Sequence, residues 1–236
     1  GPPILHLART WISDRDDRAV LASGMIDDAS RLNATPVREV WPVPESPDRA
    51  EEQLAALLQR ADVQDIPVSI AGARHTMGGH VIAEDGIVID MLSFDDMSFD
   101  PESNILHVQS GATWKEVIAY LDPLGSSVGV MQSNNSFSVG GSLSANCHGW
   151  QYGRPPIAST VRSFRLMRAD GSIVTCSREE NPELFSLVLG GYGLFGIILD
   201  VQLEVVPNER LKVEQFLVPI DDALAAVEQS LAEQPG

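Results

Sequence analysis

Basic side chains are scarce in this chain. Its 236 residues carry 16 lysines and arginines against 33 aspartates and glutamates, a formal charge of -17. Polyanion recognition needs clustered cations, so nucleic-acid binding is not expected, and anionic membrane surfaces repel such a chain. The acidity does not forbid an anionic cofactor. Exposed charges are screened beyond about 8 Å at physiological salt, so local donors decide what a pocket holds. Only two cysteines occur, Cys147 and Cys176, too few for a disulfide scaffold. No run of roughly 18 apolar residues exists, so no membrane span is expected. No secretory leader is visible. Gly1-Pro2 stands where Met would begin a chain and looks like a protease-cleavage scar; the expected location is the cytoplasm. Metal-ligand spacings are also lacking. His6 sits in an unplaced arm and His107 alternates on a strand, so no metal site is expected. Repeats and low-complexity stretches are absent. What remains is 44% hydrophobic residues, the composition of a folded, soluble protein of one large or two small domains.

Residues 1–35 read as an N-terminal arm in which Trp11 and Ile12 pack locally. Val37–Trp41 alternates as a strand. Ser46-Pro47 opens a helix with Leu54, Leu57, Leu58 and Ala61 as its apolar stripe. Pro67–Ala71, Gly86–Asp90 and Ile105–Val108 read as strands. Thr113-Trp114-Lys115-Glu116 has capping-box spacing and starts a helix with Val117, Ile118 and Leu121 inward. Val161–Met167 and Ile173–Cys176 form a hairpin around Asp170-Gly171. Asn181-Pro182 caps a short helix that stops at Gly190-Gly191, and Ile197–Val206 is a strand ended by Pro207. Beyond it, Val213–Val218 reads as a strand, and Asp221 as the cap of a helix with Leu224, Val227 and Leu231 inside. The order β-α-β, then mixed strands and helices, predicts an α+β fold.

Three segments carry chemistry. Ala71 to Gly79 follows a strand directly and holds Gly72, Gly78 and Gly79 with Arg74 and His75. Glycine lets backbone approach a ligand, and successive N–H groups in such a turn make an anion-binding concavity that fits a diphosphate. It is neither a G-x-G-x-x-G nor a Walker pattern, and a plain tight turn reads equally well. Asn134 to Gly149 again mixes glycine with small hydroxyl side chains. It reads as a second clamp on one diphosphate or as a serine-rich surface loop; Val139 and Leu143 favour the former as apolar anchors. Leu189 to Ile198 holds four glycines and feeds a strand. Its backbone could read an adenine edge with Ile197 or Ile198 on the ring, or it is a helix C-cap and turn. Asp95, Asp96, Asp100 and Glu102 read as a solvated acidic loop, and Cys176 as core.

Together, and in this order, these segments resemble the FAD-binding domain of the vanillyl-alcohol oxidase and p-cresol methylhydroxylase superfamily, over about Asn33 to Pro207. The sugar-oxidising branches are nearest: the aldonolactone and alditol oxidases and the decaprenylphosphoryl-ribose oxidase type. Asp27-Asp28 to Asn33-Ala34-Thr35, Arg74 to Gly79 and Cys176 to Pro182 also resemble bacterial flavin-linked dehydrogenases. The resemblance implies a two-subdomain fold of mixed sheets with flanking helices, divided as arm 1–35, FAD-binding domain 36–207, and the start of a truncated C-terminal substrate domain 208–236. It implies FAD held by Ala71, Gly72, Ala73, Arg74, His75, Thr76 and Gly78; by Gly140, Gly141, Ser144, Ala145, His148 and Gly149; and by Gly196, Ile197 and Ile198. In many relatives the histidine at the position of His75 is bonded to the flavin 8α-methyl, which makes His75 the candidate for covalent attachment, with His80 a weaker one. Cys147 reads as a small buried residue lining the flavin. The implied activity is an FAD-dependent oxidoreductase, oxidase or dehydrogenase, taking hydride from an alcohol-type, sugar-like small molecule and passing electrons to oxygen or another acceptor. The substrate side and catalytic base lie on the missing C-terminal domain, which would complete the site. Alternatives are a flavin-binding or redox module without its own catalysis, and an NADPH-dependent enolpyruvyl-sugar reductase-like enzyme, against which the Arg-His-Thr core argues.

Overall fold

The computed structural model describes residues 22–79, 81–150, 153–212, 215 and 217–233. The expectations for His6, Trp11, Ile12 and His80, and those for Val213, Glu214 and Phe216, lie outside these residues. Met25–Ile26 (β1) pairs antiparallel with Thr35–Pro36 (β2). Glu39–Pro42 (β3), Val68–Ala71 (β4) and Ile87–Asp90 (β5) form a parallel sheet in the order β3-β5-β4. The helix Pro47–Val63 (α1) joins β3 to β4, with Pro47 in its first turn, where a missing N–H breaks no helical bond. Leu54, Leu57 and Ala61 are buried against Ile87 and Ile89, while Leu58 is half-buried at the edge of the same core.

A second sheet contains Met97–Asp100 (β6), Ile105–Gln109 (β7), Ser126–Val128 (β8), Val161–Met167 (β9), Ile173–Ser177 (β10) and Ile197–Pro207 (β11). Its order is β10-β9-β11-β7-β6, with β8 paired to the end of β11. All its pairings are antiparallel. Flanking helices are Trp114–Leu121 (α2), Val139–Ser144 (α3) and Pro182–Val188 (α4), and Ala223–Glu233 (α5) follows the sheet. This is an α+β architecture with two large cores and a small third cluster of Ile26, Val37, Ala71, Ile82 and Val88. The hairpin turns at Asp170-Gly171 with Met167 opposite Ile173. Thr113 caps α2 reciprocally: its N–H donates to Glu116 Oε2 at 2.8 Å, and the Glu116 N–H donates to Thr113 Oγ1 at 3.4 Å.

Strand β11 joins the cores. Successive side chains of a strand face opposite sides, so Ile197 and Leu199 enter the core around α1. Ile198 enters the core under α2 and α3, and a register irregularity between Ile198 and Asp200 shifts the alternation, so that Val201 and Leu203 enter that same core. Arg165 on β9 ties the two together, bonding Asp200 on β11 and Glu51 on α1, the latter at 2.7 Å.

Several local expectations differ from the structure. Ile118 is 37% exposed, because the inward face of α2 is Trp114, Val117 and Leu121. Asn181 stands at the start of α4 but does not cap it; its side-chain N–H donates to Thr175 O at 2.7 Å instead. The small-residue stretch after Ser138 is a short helix, and Asp100 ends a strand rather than lying in a loop. Residues Gln215, Leu217 and Val218 carry no strand. The helix α5 exists, yet Leu224 and Val227 are exposed on it.

Candidate functional site

The three glycine-bearing segments lie around one cavity of about 740 Å³ between the two sheets. The first is delivered by β4, whose Ala71 is followed at once by the turn. Gly72 is required there by contact: a Cβ on it would lie 2.0 Å from Ser138 Oγ. Turn and second segment also touch through polar groups. His75 Nε2 is 2.8 Å from Ser136 Oγ, and the His75 ring stacks on Phe137 at 4.2 Å. The third segment is bonded to the second: Tyr192 N–H donates to Ser144 O at 2.9 Å, and Gly190 N–H to Leu143 O at 3.0 Å. Val139 and Leu143, fully buried, anchor α3 in the core.

Of the residues singled out from sequence, Ala71, Gly72, Ala73, Arg74, His75 and Thr76 line the cavity. So do Gly140, Gly141, Ser144 and Ala145, with Gly196 and Ile198 across from them. Four lie elsewhere. Ile197 faces the opposite side of β11. His148 is exposed and its Nδ1 meets Gly149 O at 3.0 Å, so the pair closes on itself outside the cavity. Gly78 is outside as well; its N–H donates to Asp28 Oδ2 at 2.9 Å. Cys147 does line the cavity, half-buried, and burial pushes its thiol pKa up.

Burial pushes the His75 imidazole pKa down from 6.5, so the ring is neutral at pH 7. Arg74 adopts φ +54, a left-handed conformation that ordinary side chains avoid. It supplies a cation beside the turn. Sequence reasoning missed Ser110, which follows β7 and also lines the cavity. Ser110 is 4% exposed and its hydroxyl has no hydrogen-bond partner among the described residues. Such a group is expensive unless a ligand completes it. Among the described residues, no cluster of three His, Cys, Asp or Glu is placed to hold a metal ion. No helix among them is long and apolar enough to cross a membrane.

The cavity thus offers glycine backbone from two turns, one cation, an unpaired buried hydroxyl and an apolar wall. That donor set suits a long, partly anionic, partly aromatic ligand. The chain matches the model of the FAD binding domain family over residues 49–177. It is 34% identical over 188 residues to cytokinin dehydrogenase 8 of Oryza sativa subsp. indica, covering 73% of this chain and 35% of that protein. It is 33% identical over 132 residues to cytokinin dehydrogenase 2 of Arabidopsis thaliana, covering 56% and 26%. An FAD-dependent monooxygenase of Arthrobotrys oligospora is 28% identical over 198 residues, covering 76% and 37%. The matched region spans 26% to 37% of the length of these relatives.

Proposed function

The chain belongs to the FAD binding domain family, and on that premise we propose that it is the cofactor-holding part of an FAD-dependent oxidoreductase. The convergence of three glycine-bearing segments on one cavity carries this reading. The residues fit the group. A cavity of about 740 Å³ is within the usual range for cofactor sites, and Ser110 offers an unpaired hydroxyl to a polar ligand atom. Residues 72–76 and Gly140-Gly141 would hold the diphosphate, with Arg74 offsetting its charge. Ile198 would pack on a ring, and His75 would bond the flavin 8α carbon. When bound, FAD supplies the hydride acceptor. The chain's residues bind it, orient it and exclude water from it.

The substrate we propose is a small molecule with an alcohol-type, sugar-like C–H. Electrons then pass to oxygen or another acceptor. Relatives named as dehydrogenases support hydride removal. Residues 36–207 are read as the cofactor domain, and those from 208 as the start of a domain that completes the substrate side. The exposed Leu217, Ile220, Leu224 and Val227 support that division.

A visible spectrum of the purified chain, with and without added FAD, tests the reading. Flavin absorption retained after gel filtration is expected. A chain that stays colourless at any FAD concentration would sink it. Ser110→Ala separates the cofactor role from the fold. Without FAD the variant should be more stable by up to about 1 kcal/mol, since an unpaired hydroxyl is removed. Its FAD affinity should fall about tenfold, because the hydroxyl's partner is then lost. Paired melting curves and FAD titrations read both signs, and equal shifts in one direction would refute this role for Ser110.

A further inference from the structure

We propose that Asp28 is a positioning residue of the cofactor site, a built-in anion that holds the turn at residues 72–79 in its ligand-facing shape. The proposal rests on the FAD reading above. Asp28 lies upstream of the residues matched to the family, 49–177. It is 4% exposed, and both carboxylate oxygens are fully engaged. Oδ2 accepts from Gly78 N–H at 2.9 Å, Gly79 N–H at 3.0 Å and Asn33 Nδ2 at 2.9 Å. Oδ1 accepts from Ser30 N–H at 2.8 Å and from the Ser30 hydroxyl. The next residue holds the other end of the turn: Ala29 N–H donates to Arg74 O at 2.9 Å. Residues 28 and 29 therefore grip the turn on either side of His75 and Thr76, and the grip retains Arg74 in its strained φ +54.

Two consequences follow from the chemistry. Gly78 and Gly79 form the kind of N–H concavity that takes a phosphate, but the protein's own carboxylate occupies it. A cofactor diphosphate is left to the N–H groups earlier in the turn. The anion is also permanent. The Ser30 hydroxyl first, then the N–H groups of Gly78, Ser30 and Gly79, hold the Asp28 carboxyl well below the usual carboxylate range, so the grip persists at any working pH. Asparagine cannot replace it. Five donors surround the two oxygens, and an amide –NH2 on either side would face donors.

The test uses the chain reconstituted with FAD, reading affinity by flavin fluorescence and fold by far-UV circular dichroism. Asp28→Asn and Asp28→Ala should keep the folded spectrum and bind FAD about 10- to 100-fold more weakly. In Asp28→Ala, added formate should restore most of that affinity by filling the vacated carboxylate position, and chloride at the same ionic strength should not. Wild-type affinity in a folded Asp28→Ala chain would overturn the proposal. So would a folded variant that formate fails to restore, or unfolding of both variants, which would make Asp28 a fold residue only. Amide exchange at Gly78 and Gly79 reads the grip without FAD. Slow exchange in the wild type and fast exchange in Asp28→Asn are expected, and equal rates would overturn the proposal. If the wild-type chain bound no FAD, the cofactor reading would fall while this exchange still decided the role of Asp28.

Discussion

In His75→Ala, flavin colour is expected to leave the acid-precipitated pellet entirely and appear in the supernatant, whereas the wild-type pellet stays yellow. The hydrogen-bond network around His75 explains why this ring is suited to bond formation. Ser136 N–H lies 2.9 Å from Asn134 Oδ1, so that atom must be an acceptor. The Ser136 hydroxyl, 2.8 Å from the same oxygen, gives its only proton there. It can then only accept from His75, 2.8 Å away, so Nε2 carries the ring proton and Nδ1 keeps a lone pair. Burial lowers the imidazole pKa from 6.5 and protects that lone pair at neutral pH. The sign for pH follows: protonation removes the nucleophile, and the lowered pKa delays this on acidification. Attachment should therefore slow on acidification, with its midpoint at a lower pH than an ordinary imidazole would give. His75→Ala should still bind FAD without a bond, since the glycine segments and Arg74 remain. Yellow colour surviving in the His75→Ala pellet would place the bond on another residue. A colourless wild-type pellet would mean that no bond forms.

Gly111→Ala should destabilise the chain by at least about 3 kcal/mol and abolish FAD retention. A Cβ there would lie 1.8 Å from Met91 O, 2.6 Å from Phe94 O and 2.7 Å from Met91 C. These are backbone atoms, so no rotamer change relieves the clash. The position is also where the two sheets meet. Gly111 N–H donates to Phe94 O at 2.8 Å, and Phe94 belongs to the core around α1, whereas the next residue, Ala112, belongs to the other core. Met91 and Ser110 both line the cavity, so prising them apart opens it. Gly125→Ala is the matched control. It has φ +72 and nothing within 4 Å of a new Cβ, so only the left-handed backbone penalty of roughly 1 kcal/mol applies. Urea unfolding of the two variants should differ by about 2 kcal/mol or more. A Gly111→Ala chain as stable as Gly125→Ala would refute the packing argument.

The sequence by itself determined what is local. The stripe of α1, the Thr113 capping box and the hairpin at Asp170-Gly171 were legible because each rests on contacts within a few residues. The glycine segments were legible as close-approach turns for the same reason, and together they were enough to identify the family. Tertiary structure decided what depends on strand order and register. His75 meets Ser136 from 61 residues away, and Asp28 meets Gly78 from 50 away. No spacing rule reports such pairs. Ile197 and Ile198 could not be separated until β11 was placed between two cores, because adjacent strand residues face opposite sides. Gly78 was read as a ligand donor because a glycine-rich turn presents its N–H groups to any anion. The fold had already supplied one, and only the approach of a distant carboxylate could reveal it.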